Sequence, residues 1–239
     1  MDKPRSTDRL PDLRAAAADA TFRLFRLQTD LYNRFSLPVI STARPFSFYR
    51  KAFFDNRSER AVLDELQGKV ILDIGCGFTP YMPDSMFQAC RRAGIDFYGV
   101  DPKLGQKPRF NLIDTVARWS TNLRAPMDPN APGDAWRIGA MADNLPFADG
   151  AVDLILSSWL LEVWLSDPDI LASIYREFAR VLKPGGQARL MPQPKLTPGT
   201  RGRAFDDALQ AFDVHQKPLP VGSPNLFPPA YLTILTRRS

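Results

Sequence analysis

The chain has 239 residues, of which 44% are hydrophobic and 24% are charged, values typical of a globular protein with a sizeable core. Two cysteines are too few for a disulfide framework, and the single histidine, His215, excludes zinc sites and catalytic dyads that need two histidines. Because there is no apolar run long enough for a membrane helix and no secretory leader, we expect a cytoplasmic protein without a membrane span.

The net charge of +5 is concentrated near the N-terminus. Residues 1–60 hold 12 basic and 7 acidic residues, whereas residues 61–239 hold 19 of each. A protein that grips a long phosphate backbone usually spreads basic residues over its main face. The balanced body of the chain therefore argues mildly against nucleic acid as the substrate.

Two helices are predicted before residue 67. The first covers residues 10–36, where small and leucine side chains recur at steps of three or four: Leu13, Ala16, Ala20, Leu24, Leu27 and Leu31. The second runs from Phe48 to Leu66 and ends at Gly68. The aromatic residues of this region are expected to pack as core or to cap a ligand pocket. A membrane-surface helix is a weaker alternative, because arginines and acidic residues are interleaved there.

From Lys69 onward, short apolar runs alternate with helical segments. Strands are predicted at 69–74, 96–100, 136–139, 152–157, 187–191, 211–217 and 231–236, and helices at 82–93, 111–122, 168–182 and 200–213. This alternation predicts a parallel sheet with helices on both faces. Such a sheet binds its ligand beyond the carboxyl ends of its strands.

The turn after the first of these strands carries the first chemical signal. Asp73 precedes the sequence Gly75-Cys76-Gly77, where glycine lets the backbone pass close beneath a ligand. A G-x-G turn alone can also be purely structural. Asp73, however, would repel a pyrophosphate and suits an ammonium group. Asp101, which ends the next strand, can accept both hydroxyls of a ribose. S-adenosylmethionine has this combination of ribose and cation without a pyrophosphate.

Four motifs in order resemble those of the class I S-adenosylmethionine-dependent methyltransferases, with a core of the methyltransferase-11 and methyltransferase-25 type. They are Val70-Ile-Leu-Asp-Ile-Gly-Cys-Gly77, Gly99-Val-Asp-Pro102, Ala142-Asp-Asn-Leu-Pro-Phe147 and Leu182-Lys-Pro-Gly-Gly186. The resemblance covers residues 69–191. It implies an α/β fold of three layers, α/β/α, around a Rossmann-like, seven-stranded, mostly parallel sheet whose final strand is antiparallel. It also implies an N-terminal helical extension or lid, residues 1–66, before a methyltransferase domain, residues 67–239.

The family's roles transfer residue by residue as expectations. Asp73 lies near the methionine ammonium, the glycine turn forms the floor under the ligand, and Asp101 takes the ribose hydroxyls. Ala142 presents its backbone N–H to the adenine. The predicted cofactor-binding set is Asp73, Gly75, Cys76, Gly77, Asp101, Met141, Ala142, Asp143, Ser157 and Ser158.

The sequence departs from the family at three places. Phe78-Thr79-Pro80 stands where a third glycine is common. Met141 takes the position of the adenine-binding acid, so Asp143 or water is expected to replace it. Val163 stands where many relatives have a histidine, which excludes a general base at that position.

Methyl transfer displaces an excellent leaving group, S-adenosylhomocysteine, so positioning and desolvation can supply most of the catalysis. A base is needed only when the acceptor must lose a proton. Three side chains are candidates, each with a structural alternative: Glu162, His215 and Tyr49. Glu162 would otherwise be an acid favoured at a helix start.

The sequence after the fourth strand reads Ser157-Ser-Trp-Leu160 and lacks the N/D-P-P-Y/F/W motif of enzymes that methylate the amino groups of nucleobases and glutamine. We therefore expect transfer to an oxygen, nitrogen or carbon atom of a small-molecule acceptor. Two alternatives stay open. One is an RNA or protein methyltransferase that uses the basic N-terminal arm, and the other is a non-methylating enzyme on the same fold.

Overall fold

The computed structural model describes residues 9–35, 41–105, 127–219 and 229–239. Its helices are α1 (Arg9–Arg34), α2 (Phe46–Phe53), α3 (Glu59–Leu66), α4 (Met86–Arg92), α5 (Pro168–Val181) and α6 (Arg203–Leu209). Its strands are β1 (Val70–Ile74), β2 (Asp96–Val100), β3 (Arg137–Ile138), β4 (Val152–Ser158), β5 (Leu182–Gln193), β6 (Phe212–Pro218) and β7 (Tyr231–Arg237). The predicted helix at 111–122 lies outside the described residues.

The seven strands form one sheet in the order β3-β2-β1-β4-β5-β7-β6. β1 is parallel to both β2 and β4, and β7 runs antiparallel between β5 and β6. This confirms the predicted sheet and its antiparallel final strand. The strand order reverses at β1, because β2 lies on one side of it and β4 on the other. A ligand site is expected at such a switch point, beyond the carboxyl ends of these strands.

The two faces of the sheet carry separate cores. Ile71 on β1 and Leu154 and Leu156 on β4 pack with helices α1 to α4. Leu72 on β1 and its neighbours on that face pack with α5 and α6 instead. Successive side chains of a strand point to opposite faces. Asp73 therefore shares its face with Ile71 and points toward the N-terminal helices.

The single helix predicted from Phe48 to Leu66 is wrong, because the structure has two helices there. Asp55 and Asn56 adopt left-handed conformations, with φ of 50° and 56°, which aspartate and asparagine tolerate better than most residues. Ser58 then caps α3, and its side chain accepts a hydrogen bond from the Ala61 N–H at 3.2 Å. The local sequence thus contains signals both for the end of α2 and for the start of α3.

Helix α1 confirms the first predicted helix but not the face that packs. Within residues 13–34 of this helix, the buried side chains are those of Ala18, Phe22 and Thr29, with exposed fractions of 0%, 1% and 7%. The leucines whose spacing predicted the helix point away from the body: Leu13, Leu24, Leu27 and Leu31 are 53–66% exposed. The leucine periodicity predicted the helix correctly, but the packing of aromatic side chains such as Phe22 determines which side of it is buried.

The other boundaries shift by a few residues. The helix predicted from residue 82 begins at Met86, where the Ser85 side chain accepts a hydrogen bond from the Gln88 N–H at 3.2 Å. Helix α6 is shorter than predicted because β6 starts at Phe212. Among the described residues, no helix combines the length and apolar character that a bilayer crossing requires.

Candidate functional site at the carboxyl ends of β1, β2 and β4

The turn after β1 joins two strand ends. Gly75 and Gly77 have positive φ angles of 70° and 55°. The Gly75 N–H donates to the Val100 carbonyl of β2 at 2.8 Å. The Gly77 N–H donates to Oδ2 of Asp101 at 3.1 Å. The turn and the acid that were predicted to share a ligand therefore lie in direct contact.

Asp73 is buried and has one carboxylate oxygen without a partner. Its Oδ2 accepts a hydrogen bond from the Tyr49 hydroxyl of α2. Its Oδ1 has no hydrogen-bond partner among the described residues. Burial and the negative charge of Asp101 raise the pKa of Asp73 to about 7, although the Tyr49 hydrogen bond opposes them. Since buried polar atoms are almost always paired, this oxygen marks a place for a donor.

Tyr49 is fully buried and held against this carboxylate. Burial and the neighbouring Asp73 charge raise the pKa of Tyr49 well above its ordinary value. The phenol therefore stays protonated and acts as a donor to Asp73. This argues against Tyr49 as a general base and gives it a role in orienting Asp73.

Asp101 is half-buried and its carboxylate organises the loop around it. Oδ2 accepts from the Gly77 N–H at 3.1 Å, and Oδ1 accepts from the Lys103 N–H at 2.9 Å. A carboxylate has about four acceptor positions, two on each oxygen. Counting donors of the described residues only, one position on each oxygen thus remains for two further donors, as many as a pair of ribose hydroxyls supplies.

Residues 41–45, which we call the cover segment, lie against the glycine turn. The Phe78 N–H donates to the Thr42 carbonyl at 3.0 Å. The Arg44 N–H donates to Oγ1 of Thr79 at 3.1 Å. A Cβ atom built on Gly77 would lie 2.5 Å from the Thr42 carbonyl oxygen. Gly77 therefore permits both the turn and the close approach of the cover segment.

Replacing Gly77 by alanine should destabilise the fold more than the same change at Gly94. Both glycines have positive φ, 55° and 68°, so each alanine incurs a backbone cost of about 1–2 kcal/mol. Of the two, Gly77 has a backbone oxygen in the way, whereas no other part of the described chain lies within 4 Å of a Cβ at Gly94. Equilibrium unfolding of the two variants measures the difference. Equal losses of stability would show that the cover segment does not constrain the turn.

Gly75 and Cys76 serve the packing of the turn. A Cβ atom on Gly75 would lie 2.7 Å from Cδ2 of Leu160, in the loop that follows β4. Gly75 thus makes room for this loop. The Cys76 thiol is buried, and burial together with the charges of Asp73 and Asp101 raises its pKa well above the usual range. It is a small packing residue with little thiolate character.

The two serines at the end of β4 differ in their surroundings and in the direction of their side chains. The Ser157 hydroxyl donates to the Ile74 carbonyl at 3.0 Å and ties β4 to β1. Ser158 is 7% exposed and, by strand alternation, shares its face with Leu156. Ser158 therefore points to the side that holds Asp73, while the Ser157 hydroxyl is already engaged.

The loop after β4 is strained and contains a buried acid. Trp159 and Glu162 both have left-handed backbone angles, with φ of 58° and 67°, a conformation that costs about 1–2 kcal/mol for each such residue. Glu162 is not at a helix start, which corrects the structural alternative considered for it. Its Oε1 lies 2.7 Å from Nε of Arg201, and its Oε2 lies 3.8 Å from Arg26 of α1.

The environment of Glu162 is that of a buried ion pair. Its side chain is 0% exposed and that of Arg201 is 9% exposed. Their contact is short but lacks hydrogen-bonding geometry. Burial raises the pKa of Glu162, and the Arg201 and Arg26 charges oppose the rise. The two arginines compete with any proton for this carboxylate, so a structural role explains it better than a base.

Helix α1 lies directly over this loop. The Thr29 hydroxyl donates to the Val163 carbonyl at 2.8 Å. Phe25 makes an edge-to-face contact with Trp159, with ring centroids 6.0 Å apart. Tyr32 contacts Trp164 in the same way at 5.2 Å. The N-terminal helix thus covers the carboxyl end of β4.

The remaining candidate site residues lie in two separate parts of the structure, after β3 and on β6. Ala142 is buried after β3, whereas Met141, 55% exposed, and Asp143 face solvent beside it. His215 is exposed on the edge strand β6, three strands from β4, or roughly 14 Å across the sheet. The structure does not bring His215 to the other residues, so it is not supported as a base. The described residues contain no cluster of histidine, cysteine and acidic side chains suited to a metal ion.

Sequence reasoning missed two features of this site. One is the Tyr49–Asp73 hydrogen bond, and the other is the cover segment against Gly77. The aromatic cluster before residue 67 was a signal for Tyr49, but no local pattern indicated its partner.

Comparisons with known proteins agree with the motifs. Residues 72–190, from β1 into β5, match the family model described as a methyltransferase domain. An "uncharacterized methyltransferase" from Mycobacterium sp. (strain JLS) is 33% identical over 123 residues, which cover 52% of this chain and 38% of that protein. The chain thus spans well under half the length of this relative.

The solved structures that match share less sequence with this chain. A S-adenosylmethionine-dependent methyltransferase from Methanosarcina mazei is 17% identical with a TM-score of 0.41, covering 74% of this chain and 97% of its own. Geranyl diphosphate C-methyltransferase from Streptomyces coelicolor A3(2) is 15% identical with a TM-score of 0.40, covering 84% and 92%. The family-model match identifies the β1–β5 core of this chain, residues 72–190, as a methyltransferase domain.

Proposed function

We propose that this chain binds S-adenosylmethionine at the carboxyl ends of β1 and β2 and transfers its methyl group to a small-molecule acceptor. The observation that carries the proposal is the pair of carboxylates beside the glycine turn. Asp73 has a buried oxygen with no partner among the described residues, and Asp101 keeps acceptor capacity on both oxygens. A ligand with an ammonium group and a ribose satisfies both.

Each residue of the site would contact a different part of S-adenosylmethionine. Asp73 Oδ1 would accept from the methionine ammonium, while Tyr49 holds Oδ2. Asp101 would accept from the ribose hydroxyls, and the Ala142 backbone would face the adenine. When bound, S-adenosylmethionine supplies a methyl group on a sulfonium centre that is already a good leaving group. The chain's contribution is then to orient the acceptor and to exclude water.

Binding of S-adenosylmethionine should weaken as the pH falls below about 7. In the free protein the pKa of Asp73 is raised to about 7, so at lower pH its carboxyl is protonated and must release a proton to accept the ammonium. The dissociation constant should then rise by up to about tenfold for each pH unit. Calorimetry in two buffers of different ionisation enthalpy measures the released proton directly.

Two variants test this assignment. Asp73→Asn should bind weakly with no pH dependence in this range. Tyr49→Phe removes a hydrogen bond that lowers the pKa of Asp73, so it should move the midpoint of the affinity profile to higher pH. Wild-type binding that releases no proton near neutral pH would contradict the contact between Asp73 and the ammonium.

We also propose that residues 1–66 act as a lid over the acceptor pocket. The support is that α1 covers the loop after β4 through Phe25, Thr29 and Tyr32. The cover segment, in turn, lies against the glycine turn. Trp159 and Trp164 stand between α1 and the strand ends, where they would wall an apolar or aromatic acceptor.

A labelled-methyl screen over cell metabolites, peptides and RNA tests the reaction and the acceptor class together. We expect transfer to a small molecule, and we expect Phe25→Ala to lower the transfer rate more than the affinity for S-adenosylmethionine. Transfer to RNA or protein would favour the basic N-terminal arm as the substrate contact, and salt-sensitive RNA binding would accompany it. Cofactor binding without any methyl transfer would favour a non-methylating enzyme.

A further inference from the structure

Helix α1 carries an apolar surface that the body of the protein does not use. We call this surface the leucine seam. Its residues are Leu13, Ala17, Ala20, Leu24, Leu27, Leu31 and Phe35. The four leucines are 53–66% exposed and Phe35 is 65% exposed. These five are all the exposed leucine and phenylalanine side chains of the described residues; the leucines lie on α1, and Phe35 directly follows its last residue.

The seam has the spacing of a coiled coil. From Leu13 to Leu31 its members follow steps of four, three, four, three and four residues, the alternation that places a and d positions of a heptad on one side of a helix. Ala18, Phe22 and Thr29, which anchor α1 to the body, occupy the nearly opposite side. The helix is therefore fixed by one face and presents the seam outward.

The charged residues beside the leucine seam favour one relative direction for two paired α1 helices. Arg23 and Asp30 both flank it at the g position of successive heptads and are exposed. Neither has an ion-pair partner among the described residues. In an antiparallel pair of such helices, g positions face g positions. Arg23 of one copy then meets Asp30 of the other, and twofold symmetry repeats the pair.

The same antiparallel register also matches side-chain sizes. It places Leu24 opposite Leu27 of the second copy, and Ala20 opposite Leu31. Small residues thus face large ones, as well-packed cores require. A parallel pair would instead set Ala20 against Ala20 and bring Arg23 to Gln28, with no ion pair. The antiparallel arrangement satisfies both packing and charge.

We propose that two copies of this chain form an antiparallel dimer through the leucine seam, centred between Leu24 and Leu27. The dimer would bury the exposed leucines and would couple the two lids, since α1 also covers the loop after β4 in each copy. This inference is independent of the reaction and of the cofactor.

Sedimentation equilibrium of the full chain over a wide concentration range tests the dimer. We expect a dimer for the wild type and a folded monomer for Leu24→Asp/Leu27→Asp. The matched control is Ile170→Asp, which changes a residue 44% exposed on α5 and should leave the dimer intact. A monomeric wild type at every concentration, or an unaffected dimer in the double variant, would overturn the proposal.

Charge reversal tests the direction of the helices. Arg23→Asp alone sets two acids face to face, and Asp30→Arg alone sets two arginines face to face, so each should raise the dimer dissociation constant about tenfold or more. The combined Arg23→Asp/Asp30→Arg variant should restore wild-type association. Failure of the combined variant to recover would overturn the antiparallel register. A wild type that stays monomeric and binds anionic vesicles through Leu24 and Leu27 would assign the seam to a membrane surface.

Discussion

Replacing Asp101 by alanine should weaken the binding of S-adenosylmethionine by about 1–3 kcal/mol, or roughly 5- to 150-fold in Kd. The carboxylate directly follows β2, and donors of the described residues leave one acceptor position on each of its oxygens, suited to two ribose hydroxyls. Alanine removes both contacts and also the acceptor for the Gly77 N–H, so the turn loses a constraint. Isothermal titration calorimetry measures the change directly.

The matched control is Asp96→Ala. Asp96 begins the same strand at its other end and is exposed, so its loss should leave the affinity unchanged. Circular dichroism of both variants shows whether the fold is intact. A folded Asp101→Ala protein with wild-type affinity would remove Asp101 from the cofactor site.

Replacing Glu162 by glutamine should destabilise the protein by about 3–5 kcal/mol, because breaking a buried ion pair leaves an uncompensated charge inside. The charge left behind is that of Arg201, whose side chain is 9% exposed. Glutamine has nearly the same size and keeps the same left-handed backbone, so the variant changes little besides the charge. Urea unfolding gives the loss of stability.

Asp149→Asn provides the comparison for Glu162→Gln. Asp149 Oδ1 lies 2.6 Å from Arg180, but the Asp149 side chain is 79% exposed. Exposed pairs contribute about 1 kcal/mol or less. A Glu162→Gln protein that is as stable as the wild type but inactive would reverse the assignment and make Glu162 a catalytic group.

The sheet and the glycine turn after β1 could be predicted because their signals are local. Ile71 to Ile74 form a short apolar strand interrupted by one acid, and Gly75 and Gly77 follow where the backbone must turn sharply. Asp101 could be placed because parallel strands bring their carboxyl ends to one edge. These inferences need only the order of residues along the chain and the geometry of a sheet.

Contacts between distant segments could not be predicted in this way. Tyr49 and Asp73 belong to different elements, and neither local sequence indicates that the two side chains form a hydrogen bond. The packing side of α1 depended on where Phe22 and Phe25 could reach the body, and the regular leucine spacing pointed to the opposite side. The break between α2 and α3 is different, since Asp55, Asn56 and Ser58 do carry a local signal for it.

A crystal structure of the chain with S-adenosylhomocysteine tests the central claim most directly. We expect the ligand above the Gly75–Gly77 turn, with its ammonium within hydrogen-bonding distance of Asp73 Oδ1. The ribose hydroxyls should contact the two oxygens of Asp101. A ligand bound elsewhere, or a site between these carboxylates that stays empty at saturating ligand, would contradict the account.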